Sequence, residues 1–147
     1  MRSLITDEVK TSEAGAKLLA ERSVGELADK MGIKIVELSA ERAVGTMPVS
    51  GNMQPFGVLH GGAHVVLGES LGSMAANVWA YPDRVAVGIE VNASHSRSAT
   101  SGIVTGTCTA LNLGKSLTVH EIVITDEQGR RLSTVRITNY LREKPSR

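Results

Sequence analysis

Residues 54–73 read QPFGVLHGGAHVVLGESLGS. From Gly61 onward the spacing is helical. Yet the run opens on a glycine pair, carries Gly68 and Gly72 inside it, and holds one acid, Glu69, among small and apolar neighbours. At 100° per residue Gly61, Val65, Gly68, Gly72, Ala75 and Ala76 fall on one face. Each interior glycine costs about 1 kcal/mol relative to Ala, so two of them four apart need a compensating contact. A face without Cβ atoms lets a sheet or another backbone come close. The stretch therefore predicts a helix over 61–80 with a sheet curled around it. Pro82, in "YPD", ends that helix because proline cannot continue its hydrogen-bond ladder.

Working outward, residues 50–59 (SGNMQPFGVL) hold the Gly, Asn and Pro of a loop. Residues 33–49 alternate in apolar character and predict one long strand, with room for a bulge. Residues 6–31 read as helical, broken near Gly25 into two short helices and stopped by Gly32. Beyond the long helix come four strand-like runs, 84–99, 101–114, 115–127 and 129–143. Their separators ATSG, NLGK and DEQGR are turn chemistry. Such gaps are too short for parallel crossovers, so an antiparallel meander is expected. The chain reads as one α+β domain over 1–147, with helices in 1–31 and a core in 32–143.

Composition narrows the function. Apolar residues make up 41% of the 147, charged residues 21%, and the net charge is +1. That balance gives no reason to expect nucleic acid or an anionic membrane as partner. Aromatic residues are only 3%, which argues against recognition by base stacking. Cys108 is the only cysteine and lies in a strand-like run, so a buried small hydrophobe is expected. No apolar stretch approaches the length of a membrane span, and residues 1–10 lack a signal-peptide core. The expectation is a cytoplasmic protein.

Glu69, Ser73 and Asn77 form a row at the edge of the small-residue face. No Lys or Arg lies within a turn of Glu69, unlike a solvated helix edge, so the carboxylate is expected to be partly desolvated. At the helix start, Gly61 and Gly62 leave N–H groups with no side chain to shield them. Such donors, aided by the helix dipole, polarise a carbonyl or hold an oxyanion. Donors and carboxylate are about 12 Å apart by the helical rise, so one copy cannot aim both at one carbonyl. Two copies packed antiparallel can, which predicts self-association. His60 and His64, four apart, have the spacing of a metal pair with Glu69 as a third ligand. The HExxH pattern is absent, however, and no metal is expected. No G-x-S-x-G elbow supports a serine nucleophile.

Two segments, NMQPFGVLHGGAHVVLGESLGS (52–73) and VGIEVNASHSRSATSGIVTGTCTALNLGKS (87–116), resemble the hotdog-fold acyl-CoA thioesterases. The similar branch includes phenylacetate-pathway, Glu-type 4-hydroxybenzoyl-CoA and 1,4-dihydroxy-2-naphthoyl-CoA thioesterases. The resemblance covers about residues 30–142. It implies a hotdog fold, an antiparallel sheet wrapped around one long central helix. It also implies roles by position. Glu69 would attack the thioester carbonyl or activate water, and the Gly61 N–H of a partner subunit would polarise that carbonyl. Gln54 and His60 would orient the thioester, and Ser73 would hydrogen-bond the water or the Glu. Phe56 and Met74 would line the acyl pocket, with His95 near the pantetheine. Arg97, Ser98, Lys115 and Ser116 would contact the CoA phosphates. No cofactor is implied, because CoA is part of the substrate. A dimer or dimer of dimers is implied, and an aromatic acyl-CoA as substrate. His64 and Gly68 depart from the pattern expected at their positions.

Three other readings share these features. A dehydratase on the same fold would need an H-F-P-x-x-P type motif, which is missing. A non-catalytic acyl-CoA binder would not need the Glu69 acid. A proofreading hydrolase of acyl groups on a carrier protein differs only in what carries the thioester.

Overall fold

The structure, a computed structural model, describes residues 5–146. Strand β1 (Ile5–Thr11) leads to helices α1 (Glu13–Glu21) and α2 (Glu26–Met31). Strands β2 (Lys34–Leu38) and β3 (Arg42–Pro48) precede the long helix α3 (Gly61–Ala80). Four strands follow: β4 (Arg84–His95), β5 (Ile103–Leu113), β6 (Leu117–Thr125) and β7 (Arg131–Glu143). The strands form one sheet in the order β1-β2-β3-β5-β6-β7-β4, antiparallel except for the β1–β2 pair.

Helix α3 lies in the curl of this sheet, and its glycines explain how close it comes. A Cβ on Gly68 would stand 2.7 Å from Val135 Cγ1, and one on Gly72 would run into Ile137 Cγ2. The reciprocal fit occurs on the sheet. Leu71 reaches to 2.8 Å of where a Cβ would stand at Gly45 and at Gly106. Leu67, Leu71, Ile122, Ile137 and Val135 are sealed from solvent as a result. Each such side chain contributes about 1.5–3 kcal/mol on burial, which outweighs the helix-propensity cost of two glycines.

Three expectations are corrected. Residues 6–11 do not begin a helix: they belong to β1, which pairs in parallel with β2. Helix α1 starts about two turns later, where Ser12 Oγ accepts from Gly15 N–H as its cap. The break at Gly25 and the left-handed stop at Gly32 (φ 74°) fall where expected. Residues 33–49 are not one strand but a hairpin. Ser39 turns the chain by exchanging hydrogen bonds with Arg42: Ser39 N–H and Oγ–H donate to Arg42 O, and Arg42 N–H donates to Ser39 Oγ. A bulge does interrupt the pairing between Ile35 and Glu37.

The third correction builds the site. Only β5, β6 and β7 form a meander, because β4 pairs with β7 at the far edge of the sheet. The link 96–102 must therefore cross from one side of the sheet to the other. It is pinned on the way, as Ser96 and Arg97 N–H donate to Leu132 O and Leu59 N–H donates to Ala99 O. That path carries Arg97 and Ser98 past the N-terminal end of α3. It also leaves β4 as an edge strand, with Ile89 58% exposed.

Candidate active site

The loop 50–59 delivers the chain to α3 under tight control. Asn52 Nδ2 donates to Met31 O and Pro48 O, and its own carbonyl accepts from His60 N–H. Gln54 Oε1 accepts from Phe56 N–H at 2.7 Å, which leaves its NH₂ free to donate. His60 is the N-cap of α3: its Nδ1 accepts from Gly62 N–H at 2.8 Å. That bond fixes the bare nitrogen at Nδ1 and leaves Nε2 to carry the proton in the neutral ring. Among the described residues no acceptor takes the Gly61 N–H. It stands at the positive end of a 20-residue helix, where a partial negative charge is stabilised.

Gly61 opens into a cleft of about 380 Å³ lined by Gln54, Val58, Leu59, Gly61, His64, His95, Ser96, Arg97 and Ser98. Here the structure gathers five of the residues singled out above: Gln54, Gly61, His95, Arg97 and Ser98. His95 lies over the Gly61 backbone, with Nε2 3.0 Å from where a Cβ would be. Its tautomer follows from its neighbours. Ser133 Oγ–H donates to Ser94 O at 3.1 Å, so Ser133 Oγ must accept from His95 Nδ1–H at 2.8 Å. Nε2 of the neutral ring is then a bare acceptor on the side of Gly61.

Glu69, Ser73 and Met74 are elsewhere. Glu69, expected to be partly desolvated, is exposed in the single chain. It lies in a separate trough of about 260 Å³ with Gly88, Ile89, Glu90, Val91 and Ile137, at the β4 edge. Gly88 makes room for it: a Cβ there would be 3.4 Å from Glu69 Oε1. The β4–β7 register shifts beside it, between Gly88 and Glu90, as bulges near functional side chains do. Ser73 does not bond Glu69 here; its Oγ–H points to Asn139 Oδ1 at 3.5 Å. Met74 and Ser73 border a pocket of about 160 Å³ against α1, beside Leu18, Leu19, Arg22 and Asn77. Phe56, 90% exposed, is not brought to Met74 within one chain.

Lys115 and Ser116 lie at the other end of α3. Trp79 Nε1–H donates to Gly114 O at 2.9 Å, Arg84 donates to Lys115 O, and Leu141 N–H donates to Ser116 O. One chain thus divides the residues singled out among the cleft, the β4 edge, the pocket against α1 and this far turn.

His64 belongs to the cleft, and no role was foreseen for it. It is 3% exposed, and its ring centroid is 5.2 Å from that of His95. Burial, reinforced by the His95 imidazole, pushes its imidazole down to about 4. Gly88, Ser133 and Asn139 were also missed. Only Gly88 carried a local signal, a glycine breaking the alternation of VAVGIEV. The Cys108 thiol is sealed, and burial pushes it up to about 12, as expected of a core residue.

Comparison with known proteins decides the family. The thioesterase superfamily profile matches residues 56–133. The chain is 45% identical over 117 residues to the proofreading thioesterase EntH of Cronobacter turicensis, covering 79% of this chain and 85% of that protein. This chain belongs to the thioesterase superfamily. It is also 43% identical over 115 residues to the 1,4-dihydroxy-2-naphthoyl-CoA hydrolase of Escherichia coli, covering 78% and 85%. A thioesterase crystal structure from Haemophilus influenzae superposes with a TM-score of 0.77 at 35% identity, over 87% of this chain and 88% of that one. A mutant thioesterase from Pseudomonas aeruginosa superposes at 0.79 and 36% identity, over 88% and 94%. The fold is the hotdog fold of these thioesterases, and the protein is a thioester hydrolase. Among the described residues, no helix is long and apolar enough to cross a membrane.

Proposed function

We propose that this thioesterase hydrolyses an aromatic acyl-CoA at a site shared by two copies of the chain. One observation carries the reading: the unpaired Gly61 N–H and the Glu69 carboxylate sit on one helix but in separate depressions. Eight residues of helical rise, about 12 Å, separate them, so a single thioester carbonyl meets both only if a second α3 runs antiparallel to the first. The exposed apolar edge of β4, beside Glu69, suits such a contact.

In that arrangement the thioester carbonyl of the substrate accepts from Gly61 N–H of one copy. Glu69 of the other activates water, or itself attacks, at the carbonyl carbon. The tetrahedral oxyanion that forms stays on the Gly61 donor and the helix dipole. Gln54 and the His60 Nε2–H sit beside that donor to orient the ester. The free NH₂ of Gln54 supplies a further hydrogen bond. Arg97 and Ser98 supply charge and a hydroxyl for the CoA phosphates at the rim. Lys115 and Ser116, at the far turn of one copy, reach the same ligand only from a second copy. Phe56 and Met74 line the acyl pocket in the same way, one from each copy. As the tetrahedral intermediate collapses, the thiolate of CoA leaves and takes up the proton that Glu69 removed from water. Where Glu69 itself attacks, the thiolate is protonated by solvent, and water then cleaves the acyl–Glu69 anhydride to release the acid and restore the carboxylate. No cofactor is invoked, and the reading places the protein in the cytoplasm.

The aromatic preference is supported by likeness to a naphthoyl-CoA hydrolase. A proofreading role is the second reading, favoured by likeness to proofreading thioesterases. Thiol release from benzoyl-, phenylacetyl-, hydroxynaphthoyl- and fatty acyl-CoA, and from the same acyl groups on a carrier protein, distinguishes the two. In the same assay Glu69→Gln is expected to lower kcat by about 10²–10⁴-fold with the fold intact. Turnover at the wild-type rate would refute the assignment of Glu69.

A further inference from the structure

His64 has no place in the scheme above, yet it occupies the closed end of the cleft. Its side chain makes no hydrogen bond with any described residue, and its Nδ1 is buried without a partner. A buried polar atom in this condition costs stability, and the cost is unexplained by packing. His95 presents a second unused nitrogen, Nε2, on the same wall. The two rings face each other at 5.2 Å and 37°. Neither bonds the other.

The cleft is graded in polarity. Arg97 and Ser98 are exposed at its rim, whereas His64 is 3% exposed at its depth. A CoA ester held by its phosphates at Arg97 therefore lays its acyl end toward His64. His64 is one helical turn from Gly61, about 4.5 Å along the axis. What it reaches is then within a few bonds of the carbonyl that Gly61 would polarise.

We propose that His64 is a specificity-determining residue, which with His95 Nε2 receives a hydroxyl carried by the acyl group close to the thioester carbonyl. On an aromatic ring that is the ortho position; on an aliphatic chain it is C3. His95 Nε2, a bare acceptor, takes such a hydroxyl proton, and the His64 imidazole accepts it or donates to the hydroxyl oxygen according to its own tautomer. His64, buried and hard to protonate, serves here as a hydrogen-bonding group and takes no proton from the reaction. A site that hydrogen-bonds a substrate hydroxyl rejects the analogue lacking it more strongly than any shape contact can.

The inference rests on the acyl-CoA reading, so its test is read by binding and needs no turnover. The probes are two unreactive thioethers, S-phenacyl-CoA and S-(2-hydroxyphenacyl)-CoA, titrated calorimetrically into the wild-type chain and into His64→Phe, which keeps a ring and removes both nitrogens. The wild type is expected to favour the hydroxylated ligand by about 10-fold or more, and His64→Phe to reduce that ratio to near one. His64→Ala, with less bulk to accommodate and no hydrogen-bonding group, should give the same collapse if the Phe variant fails to fold. A wild-type ratio near one, or a ratio unchanged in a folded variant, overturns the proposal. Equal weakening of both ligands also overturns it, by placing His64 against the pantetheine arm that they share. If the hydroxyl preference is present while wild-type thiol release is absent for every ester, the hydrolase reading fails and the assignment of His64 stands.

Discussion

On the side of α3 that faces the sheet, Gly68 meets Val135 and Gly72 meets Ile137 with no space left for a methyl group. Along the edge of that face, Glu69 lies exposed beside Ile89 at an unpaired strand edge, and Ser73 reaches only Asn139 at 3.5 Å. The first side is complete within one chain and the second is not. A helix with a single task would finish both sides or leave the outer one plainly solvated. Here the trough holds Glu69 beside Ile89, Val91, Ile137 and a second acid, Glu90, and among the described residues no Lys or Arg lines it. On the proposed reading, packing and chemistry fall on neighbouring faces of one helix, and the chemical one is completed by a second copy.

Substitutions on the two faces should therefore separate activity from stability. The largest effect belongs to Glu69→Gln, whose loss of kcat is set out above. On this account it leaves the unfolding midpoint in urea within the scatter of surface changes, about 0.5 kcal/mol. A large loss of stability in that variant would erase the contrast between the faces. Gly72→Ala comes next and does the reverse. The added methyl collides with Ile137 Cγ2, and overpacking of this kind costs about 1–3 kcal/mol or more. About 1 kcal/mol of regained helix propensity offsets part of it. A net loss of about 2 kcal/mol by urea unfolding is expected, with kcat per folded molecule nearly unchanged. A stabilised Gly72→Ala would mean that the helix does not sit as close to the sheet as described.

A smaller effect sharpens the comparison at the N-terminal end of the helix. His64 titrates near 6.5 when unfolded and is held down to about 4 when folded, by burial and by His95. The unfolded chain thus binds more protons between these values, and stability falls as pH falls through that window. Above about 6.5 the contribution is fully present; below about 4 it is gone. His120, buried against Ala40 O and likewise lowered, acts in the same direction. The part due to His64 should disappear in His64→Phe, whose unfolding free energy should depend less steeply on pH between about 6.5 and 4. An unchanged pH slope in that variant would remove His64 from the account of acid sensitivity.

How much could be read beforehand depended on how local the signal was. Helix α3 runs from Gly61 to Ala80 as expected, because the Gly61–Gly62 pair and Pro82 mark the ends of the segment itself; the His60 cap was not foreseen. The β2–β3 turn was missed because Ser39, Ala40 and Glu41 include no glycine or proline; the reversal is made by one serine hydroxyl. β1 was missed because TDEVKT offers a charged run that serves as well for a first helical turn as for an edge strand, and its partner β2 is over twenty residues away. The pairing of β4 with β7 in place of β5 is likewise a property of the whole sheet. In the site, the residues of the Q-P-F-G-x-x-H-G-G segment were visible in sequence. The division of the residues singled out among the cleft, the β4 edge, the pocket against α1 and the far turn at Lys115 and Ser116 was not. Gln54 and Gly61 share a cleft with Arg97 only because the β4–β5 link crosses over the helix end.

The central claim is that one catalytic site takes Glu69 from one copy and the Gly61 N–H from another. Proline is favoured at the first position of a helix and lacks the N–H, so Gly61→Pro removes the donor while keeping the helix start, provided that the His95 ring, 3.0 Å from the new Cβ, moves aside. Purified Glu69→Gln and Gly61→Pro chains, each nearly inactive alone, should be mixed, dissociated and reassembled, and thiol release measured. Random pairing of equal amounts gives about half mixed dimers, each with one intact site, and hence about a quarter of wild-type activity. A mixture as inactive as its two components would contradict the shared site.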